Sequence, residues 1–552
     1  MNFSRINKLS LLAYVVPVAL ITPSLIWIVL DKSVWTWDQA YYGRGSLELF
    51  FVLARAPVQW VARMVDVLHL QAPGISWFGQ FFVPLGYLVG SVDAGLLLSI
   101  WATQALTLVL MYRSVWELSA HNQLVSMTGC LVVASAPLFV AMSHQYFAEP
   151  LQLLAVTWFV LIMSFAPRWT RAFTFSQLLV ATPVAMLAKV SSPLYCVGPG
   201  LVALWYVFKP GPFPFVKHEW LQKRVVVTVA GGVSLSLAAT TWYYKNITHV
   251  MQHLSESSSG PVAEIYGKRD IFLSTMTYWL GAVHESFFLP SVLLISGPIF
   301  GFGVICYFIR PQTVTRHFNV CGAIAIFQII VVLAVFSLHS NRDTRYLLPL
   351  LPYLTLLFCW SLAQINRPIL VSLTILIFSV QLASTYGQAL GIVPPTTSSW
   401  LFSQNSDQKQ ATVLNSIVSR TCTKTHSQRY LTIIGIDLPW LNHESAAYFA
   451  AKSLASHNAV GCDYATVRSF SESPDKIWSW ILSARIRYYV VVTPDLHPVG
   501  ADSHSQALNR NYLPMLKKVQ SSGLFELEPP LSEDPSILIF RRNEIGPPTE
   551  SR

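Results

Sequence analysis

Asp38, Glu149, Lys189, Arg342 and Arg345 each stand at the edge of a long apolar run, where ionic side chains are costly. Asp38 lies in DKSVWTWDQAYYGRGSLELF (31–50), among Trp35, Trp37, Tyr41 and Tyr42. Glu149 lies in HQYFAEP, Lys189 in MLAKVSSP, and the two arginines in SNRDTRYLLPLLP. An ammonium serves as a point-charge partner for a phosphate, and a guanidinium can grip one bidentately. Each residue also has an ordinary reading. Asp38 is about seven residues past its apolar run, within reach of water, and the aromatic residues beside it fit an interfacial belt. Glu149 precedes a proline, as acids at helix starts often do. Lys189 can extend to the interface, His144 reads as a loop histidine, and Asp343 is a candidate partner for either arginine. The combination says more than any one of them: two carboxylates and three cations, drawn from separate loops.

The elements that must position these residues are membrane helices. Of the 552 residues 53% are hydrophobic and only 12% charged, about half the charged share of a soluble domain. Candidate spans are 11–30, 95–112, 123–141, 150–166, 174–188, 193–208, 225–242, 288–308, 319–338, 346–363 and 368–385, which makes about eleven transmembrane helices. The net charge of +10 is scattered over short loops, the usual topological signal of a membrane protein, so nucleic acid is not an expected partner. The run 11–30 is long for a signal h-region and reads as a retained first helix. Arg5 and Lys8 place the amino terminus in the cytoplasm. Alternation then puts Arg168, Arg171, Arg310 and Arg316 inside, together with the basic segment 209–224. The loops 31–94, 144–149, 189–192, 243–287 and 339–345 all fall on the opposite face, as does the carboxyl-terminal region.

Within the first outer loop (31–94), residues 47–69 show helical apolar spacing interrupted by Arg55, Arg63 and Asp66, which suits one or two interfacial helices. Composition changes after Tyr386. Residues 1–388 therefore read as the transmembrane domain, 389–411 as a Pro/Ser/Gln-rich linker and 412–552 as an extracytoplasmic α/β domain. Strands are expected at 430–436, 488–494 and 537–542, and helices at 443–455 and 513–523. No Gly-rich phosphate loop marks that domain, so it reads as a structural or acceptor-recognition cap. Cys130, Cys196, Cys306, Cys321 and Cys359 lie in or beside spans without metal-ligand spacing, whereas Cys422 and Cys462 fall where a disulfide is permitted but not required.

The constellation resembles the GT-C superfamily of membrane glycosyltransferases, which includes protein O-mannosyltransferases and the lipid A aminoarabinose transferase. The matching features are TWDQAYY with interfacial helices after it, QYFAEP in the next outer loop, and LAKVSSP closing a middle helix. WYYKNITH (242–249) is similar to the family's Trp-Tyr-x-x-Asn, and RYLLPLLP (345–352) to its Arg-Tyr-x-x-Pro-x-x-Pro. The resemblance implies a sugar donor on a polyprenyl phosphate and an acceptor that is a lipid, a glycan or a protein. In such a reaction Asp38 would serve as general base, with inversion at the anomeric carbon. The phosphate leaving group needs positive charge rather than a proton, for which Lys189 and Arg345 are the candidates, with Arg342 in reserve. Glu149 would orient sugar, acceptor or Lys189. Trp35, Trp37, Tyr41, Tyr42, His144, Tyr243 and Asn246 would line the substrate cavity.

The sequence also departs from the family. A lone Asp followed by Gln replaces the paired acids of the mannosyltransferases and the Asp-x-Asp of oligosaccharyltransferases, which argues against a tightly bound divalent cation while leaving room for a weakly held one. Val190 replaces the glycine that follows the lysine in the aminoarabinose enzymes. A flippase, transporter or polymerase of lipid-linked glycans is the alternative; it would carry charges deep within spans and repeated halves. A non-catalytic scaffold is a third reading. A bacterial inner membrane is the expected location; in an endoplasmic reticulum, Asn246-Ile-Thr would be a glycosylation sequon.

Overall fold

Proline-punctuated apolar helices account for most of the computed structural model, which describes residues 3–31, 33–209, 219–260, 263, 266–267, 270–309, 315–365, 367–394, 408–422, 431–457, 462–467, 473–484, 486–494 and 508–543. Most of the expected linker, and most of the basic segment 209–224, lie outside the described residues. The helices are α1 (Phe3–Leu30), α2 (Trp37–Arg55), α3 (Pro57–Asp66), α4 (Gly74–Gly79), α5 (Val83–Leu88), α6 (Val92–Leu118) and α7 (Gln123–Ser135). Next come α8 (Pro137–Ala141), α9 (Glu149–Phe165), α10 (Arg171–Ala188), α11 (Ser192–Phe208), α12 (Glu219–Ser258), α13 (Phe272–Phe287) and α14 (Pro290–Ile309). The last are α15 (Arg316–Phe336), α16 (Leu351–Ile365), α17 (Pro368–Ala389), α18 (Gln408–Thr421), α19 (His443–His457), α20 (Pro474–Ser483) and α21 (Tyr512–Ser521). A 3₁₀ turn, Thr344–Leu350, leads into α16.

Among the described residues seven helices are long and apolar enough to cross a membrane: Val92–Leu118, Arg171–Ala188, Lys223–Ser258, Pro290–Ile309, Arg316–Phe336, Thr344–Ile365 and Pro368–Ala389. The pair Gln123–Ser135 and Pro137–His144, bent by 60°, is an eighth when counted as one span. The remaining expected spans coincide with shorter apolar helices, Tyr14–Leu30, Glu149–Phe165 and Ser192–Phe208. Among the described residues, seven or eight of the expected spans are thus long and apolar enough to cross a membrane.

The chain folds into two compact units: residues 1–30, 61–253 and 270–403 form one, and 31–60, 254–269 and 404–552 the other. In the first, the 60° bend falls at Ala136, whose extended backbone precedes Pro137. A broken helix leaves backbone groups that hydrocarbon cannot satisfy, so buried side chains satisfy them. Gln381 Nε2 and Thr385 Oγ1 both donate to the Ser135 carbonyl at 3.2 Å, and Gln104 Nε2 donates to Phe139 O at 2.7 Å. The segment 243–287, expected as a loop, is largely helical: α12 continues to Ser258 and α13 follows. Buried Trp242 and Val250 give the extension of α12 a packed face, and Trp279, Ala282 and Phe287 do the same for α13.

The second unit contains a five-stranded sheet of order β2-β1-β3-β5-β4, built from β1 (Leu431–Ile434), β2 (Asp463–Thr466), β3 (Ile486–Val492), β4 (Phe525–Leu527) and β5 (Ile537–Arg542). β1 is parallel to β2 and β3, and β5 is antiparallel to β3 and β4. The strands expected at 430–436, 488–494 and 537–542 are β1, β3 and β5; β2 and β4 lack the apolar run that marks those three, β2 being bounded by Asp463 and Thr466 and β4 only three residues long. Cys422 and Cys462 are joined by a disulfide with Cα atoms 5.6 Å apart. Residues 31–60 belong to this same unit. Here α2 starts at Trp37, ten residues before the helical apolar spacing becomes readable at 47.

Candidate active site

Three helix ends of the first unit bring charges together. Glu149 is the first residue of α9, with Pro150 behind it in the first turn; a proline there loses no helical hydrogen bond. Lys189 caps the carboxyl end of α10 in extended conformation, where a cation complements the helix dipole. Its Nζ lies 2.7 Å from Glu149 Oε1 and 4.2 Å from the centre of the Tyr346 ring. Arg345 enters from the 3₁₀ turn before α16. Its Nε and Nη2 both reach Asp343 Oδ2, at 2.8 and 2.5 Å, while its own backbone N–H donates to Asp343 Oδ1. The guanidinium also sits 4.3 Å from the centre of the Phe147 ring. Arg345 and Asp343 lie near enough to act electrostatically on Glu149, and Lys189 on Asp343. Burial pushes the Asp343 carboxyl up, but the charge of Arg345 and its hydrogen bonds outweigh this and hold it below the usual carboxylate range.

The result is a charge-balanced cluster of two carboxylates and two cations, drawn from three sequence regions. Tyr195 supports it: its hydroxyl donates to the Tyr346 carbonyl at 2.5 Å, and Tyr353 donates to the Tyr195 carbonyl. Arg342 is engaged by other residues, pairing with Asp270 at 3.6 Å and lying 5.2 Å from the Tyr278 ring centre. His144 is buried and stacked on Trp27, with ring centroids 3.6 Å apart.

The WYYKN stretch of α12 braces the same neighbourhood. Tyr243 donates to the Met186 carbonyl at 2.7 Å, three residues before Lys189. Asn246 Oδ1 contacts His69 Nδ1 at 2.9 Å, Trp242 donates to Val67 O at 3.4 Å, and Lys245 pairs with Asp66. Helix α4 packs on the end of α10 through Gly74, where a Cβ would come within 2.5 Å of the Leu187 carbonyl oxygen. Tyr243 and Asn246 therefore hold α12 against α10 and the residues following α3.

Asp38 belongs to the second unit, in the first turn of α2, a favoured place for an acid. The segment around it is clamped. Trp35 is buried and stacks on Tyr448 of α19 at 4.9 Å with the rings nearly parallel, and its carbonyl accepts from Ser445 Oγ at 2.7 Å. Trp37 Nε1 donates to Asp437 Oδ1 at 2.5 Å. Tyr41 and Tyr42 are buried edge to face, 5.9 Å apart. One turn on, Arg44 pairs with Glu444 at 3.5 Å and with Glu48 at 3.8 Å. Burial opposes the charge of both members of the Arg44–Glu444 pair. Their mutual attraction, with the help of His443 on Glu444, prevails, holding Glu444 below and Arg44 above their ordinary values.

Sequence reasoning found the four members of the charge cluster but missed their seats, Tyr195, Phe147 and Tyr346. It also missed Asp437, Glu444 and Tyr448, which engage the Asp38 segment from 400 residues away. Among the described residues no three His, Cys, Asp or Glu side chains gather in a metal-binding group.

The fold is that of the GT-C membrane glycosyltransferases. In particular, the chain is similar to the crystal structure of ArnT from Cupriavidus metallidurans in the apo state, with a TM-score of 0.56 and 13% identity over 96% of this chain and 98% of that one. It is also similar to the same protein bound to undecaprenyl phosphate, with a TM-score of 0.54 and 12% identity over 95% and 97%. No protein-family model and no curated protein matches the sequence.

Proposed function

We propose that the protein is a membrane glycosyltransferase that moves a sugar from a polyprenyl-phosphate donor to an acceptor on the extracytoplasmic face. The observation that carries this reading is the convergence of Lys189 and Arg345 with Glu149 and Asp343 at the ends of helices. The fold shared with ArnT, which has been crystallised with undecaprenyl phosphate, supports it. Lys189 and Arg345 would hold the donor phosphate and stabilise the charge it gains as the glycosidic C–O bond breaks, with Arg342 as a secondary contact. Asp38 would take the proton of the attacking acceptor hydroxyl, and attack opposite the phosphate would invert the anomeric carbon. Glu149 would fix the Lys189 ammonium. The leaving phosphate needs no proton, so one base suffices. No divalent cation is required in this scheme, and transfer should continue in EDTA.

The alternative, a flippase or transporter for lipid-linked glycans, would place its ionic groups near the midplane of broken spans. The cluster sits at the first residue of α9, the cap of α10 and the entrance to α16. The test is Asp38→Asn, assayed for glycan transfer in membranes from source cells lacking the native copy and for binding of undecaprenyl phosphate after purification. The expected result is binding within twofold of wild type and transfer lost by at least 100-fold. Near-normal transfer would refute the assignment of the base.

A further inference from the structure

We infer that Asp437, acting through Trp37, is a positioning residue for Asp38, so that the carboxyl-terminal α/β domain sets the direction of the proposed base. This rests on the reading of Asp38 as the base. The sequence suggested that this domain is a structural or recognition cap. In the structure its first strand ends at Ile434, and Asp437, three residues on, accepts the Trp37 indole N–H. Asp437 is buried and is itself pinned: its backbone N–H donates to Asn509 Oδ1 at 2.7 Å, and its carbonyl accepts from Asn509 Nδ2 at 3.0 Å. The acceptor for Trp37 is thus a fixed point of the sheet's carboxyl edge.

A second observation is independent of that bond. Trp37 has a φ of +20°, outside the region an ordinary helical residue occupies, although it is the first residue of α2. A strained non-glycine backbone persists only where its surroundings over-determine it. Here the surroundings are the Asp437 bond on one side of Trp37 and, two residues earlier, Trp35 held by Tyr448 and Ser445. Asp38 is the next residue, so its direction follows from the backbone that these contacts impose. Misplacing a reacting group by about 1 Å can cost on the order of 100-fold in rate.

The test uses the full-length protein in detergent and, for transfer, native membranes lacking the chromosomal copy. Trp37→Phe keeps the ring and loses the donor; Asp437→Leu loses the acceptor; Asp437→Asn keeps an acceptor oxygen. Trp37→Phe and Asp437→Leu should raise deuterium uptake in 35–42, leave uptake in α19 unchanged, and lower transfer about tenfold or more. Asp437→Asn should stay within about twofold, and the Trp37→Phe/Asp437→Leu double variant should be no worse than either single one. Wild-type uptake and transfer in Trp37→Phe would overturn the inference, as would fully multiplicative losses in the double variant. Asp38→Asn is measured alongside. If it retains transfer, the base assignment fails; if it abolishes transfer while Trp37→Phe does not lower it, only the positioning role fails.

Discussion

Removing the Lys189 ammonium while keeping its bulk, as in Lys189→Met, exposes the energetics of the charge cluster. At 2.7 Å the attraction between Lys189 and Glu149 is about 6 kcal/mol at an effective dielectric constant of about 20. Desolvating the two ions costs several kcal/mol each, so the pair as a whole contributes little net stability. Breaking it from one side is a different matter. Glu149 has only 4% of its side chain exposed, so the charge left behind stays buried. That typically costs about 3–5 kcal/mol, and since Arg345 also acts on Glu149 the expectation is the lower end, about 3 kcal/mol. The Lys189→Met/Glu149→Gln double variant removes both charges and should recover most of the loss, to within about 1 kcal/mol of wild type. The assay is unfolding in mixed micelles at increasing SDS fraction, run as a double-mutant cycle. Additive destabilisation, with the double variant worse than either single one, would refute the pairing. Undecaprenyl phosphate binding separates stability from function: the refolded double variant should still have lost it.

Three further outcomes follow from the second unit. Glu444 has its carboxyl held below the usual value in the fold, so its contribution is present above about pH 4.5 and is lost as pH falls through the folded-state value. The unit should therefore keep this contribution from neutral pH down to about pH 4.5 and weaken below it, and Glu444→Gln should flatten that acid-side dependence in a thermal melt followed at several pH values. Reducing Cys422–Cys462, which closes a 40-residue separation, should cost about 4 kcal/mol in the chain-entropy picture, measurable as a lower unfolding midpoint with dithiothreitol. Gly43→Ala would put a Cβ 2.7 Å from Trp35 and 2.8 Å from Tyr448, so it should destabilise the unit by about 1–3 kcal/mol and raise proteolysis of segment 31–60.

What the sequence revealed and what it concealed follow from the range of the interactions involved. Ionic residues at the ends of apolar runs are conspicuous because hydrocarbon tolerates few of them. Glu149, Lys189 and Arg345 could therefore be singled out, and Asp343 could be named as a partner from its place two residues before Arg345. Their aromatic seats were not legible, since Tyr195 and Phe147 look like any other apolar-run residues until the helices are packed. The beginning of α2 was hidden by Gly43 and Gly45, which lower helix propensity by about 1 kcal/mol each. In the fold Gly43 is what lets α2 approach Tyr448. The seat of Asp38 was beyond sequence reasoning for a different reason. Trp37–Asp437 and Arg44–Glu444 join residues 400 positions apart, and such pairs leave no periodic signal in either segment. The end of α12 and the whole of α13 were missed because apolar residues fall on both faces, Trp242, Val250, Trp279 and Phe287 buried but Ile247, Met251, Leu273 and Leu280 exposed, which blurs the helical period.

Native mass spectrometry of the Asp38→Asn protein, purified from its own membranes, shows whether a lipid-linked sugar donor is bound. A bound species with the mass of a polyprenyl phosphate carrying one sugar is expected, retained because the donor site is intact while the proposed base is absent. Finding only bulk phospholipid, in this variant and in wild type supplied with undecaprenyl phosphate, would contradict the proposed function.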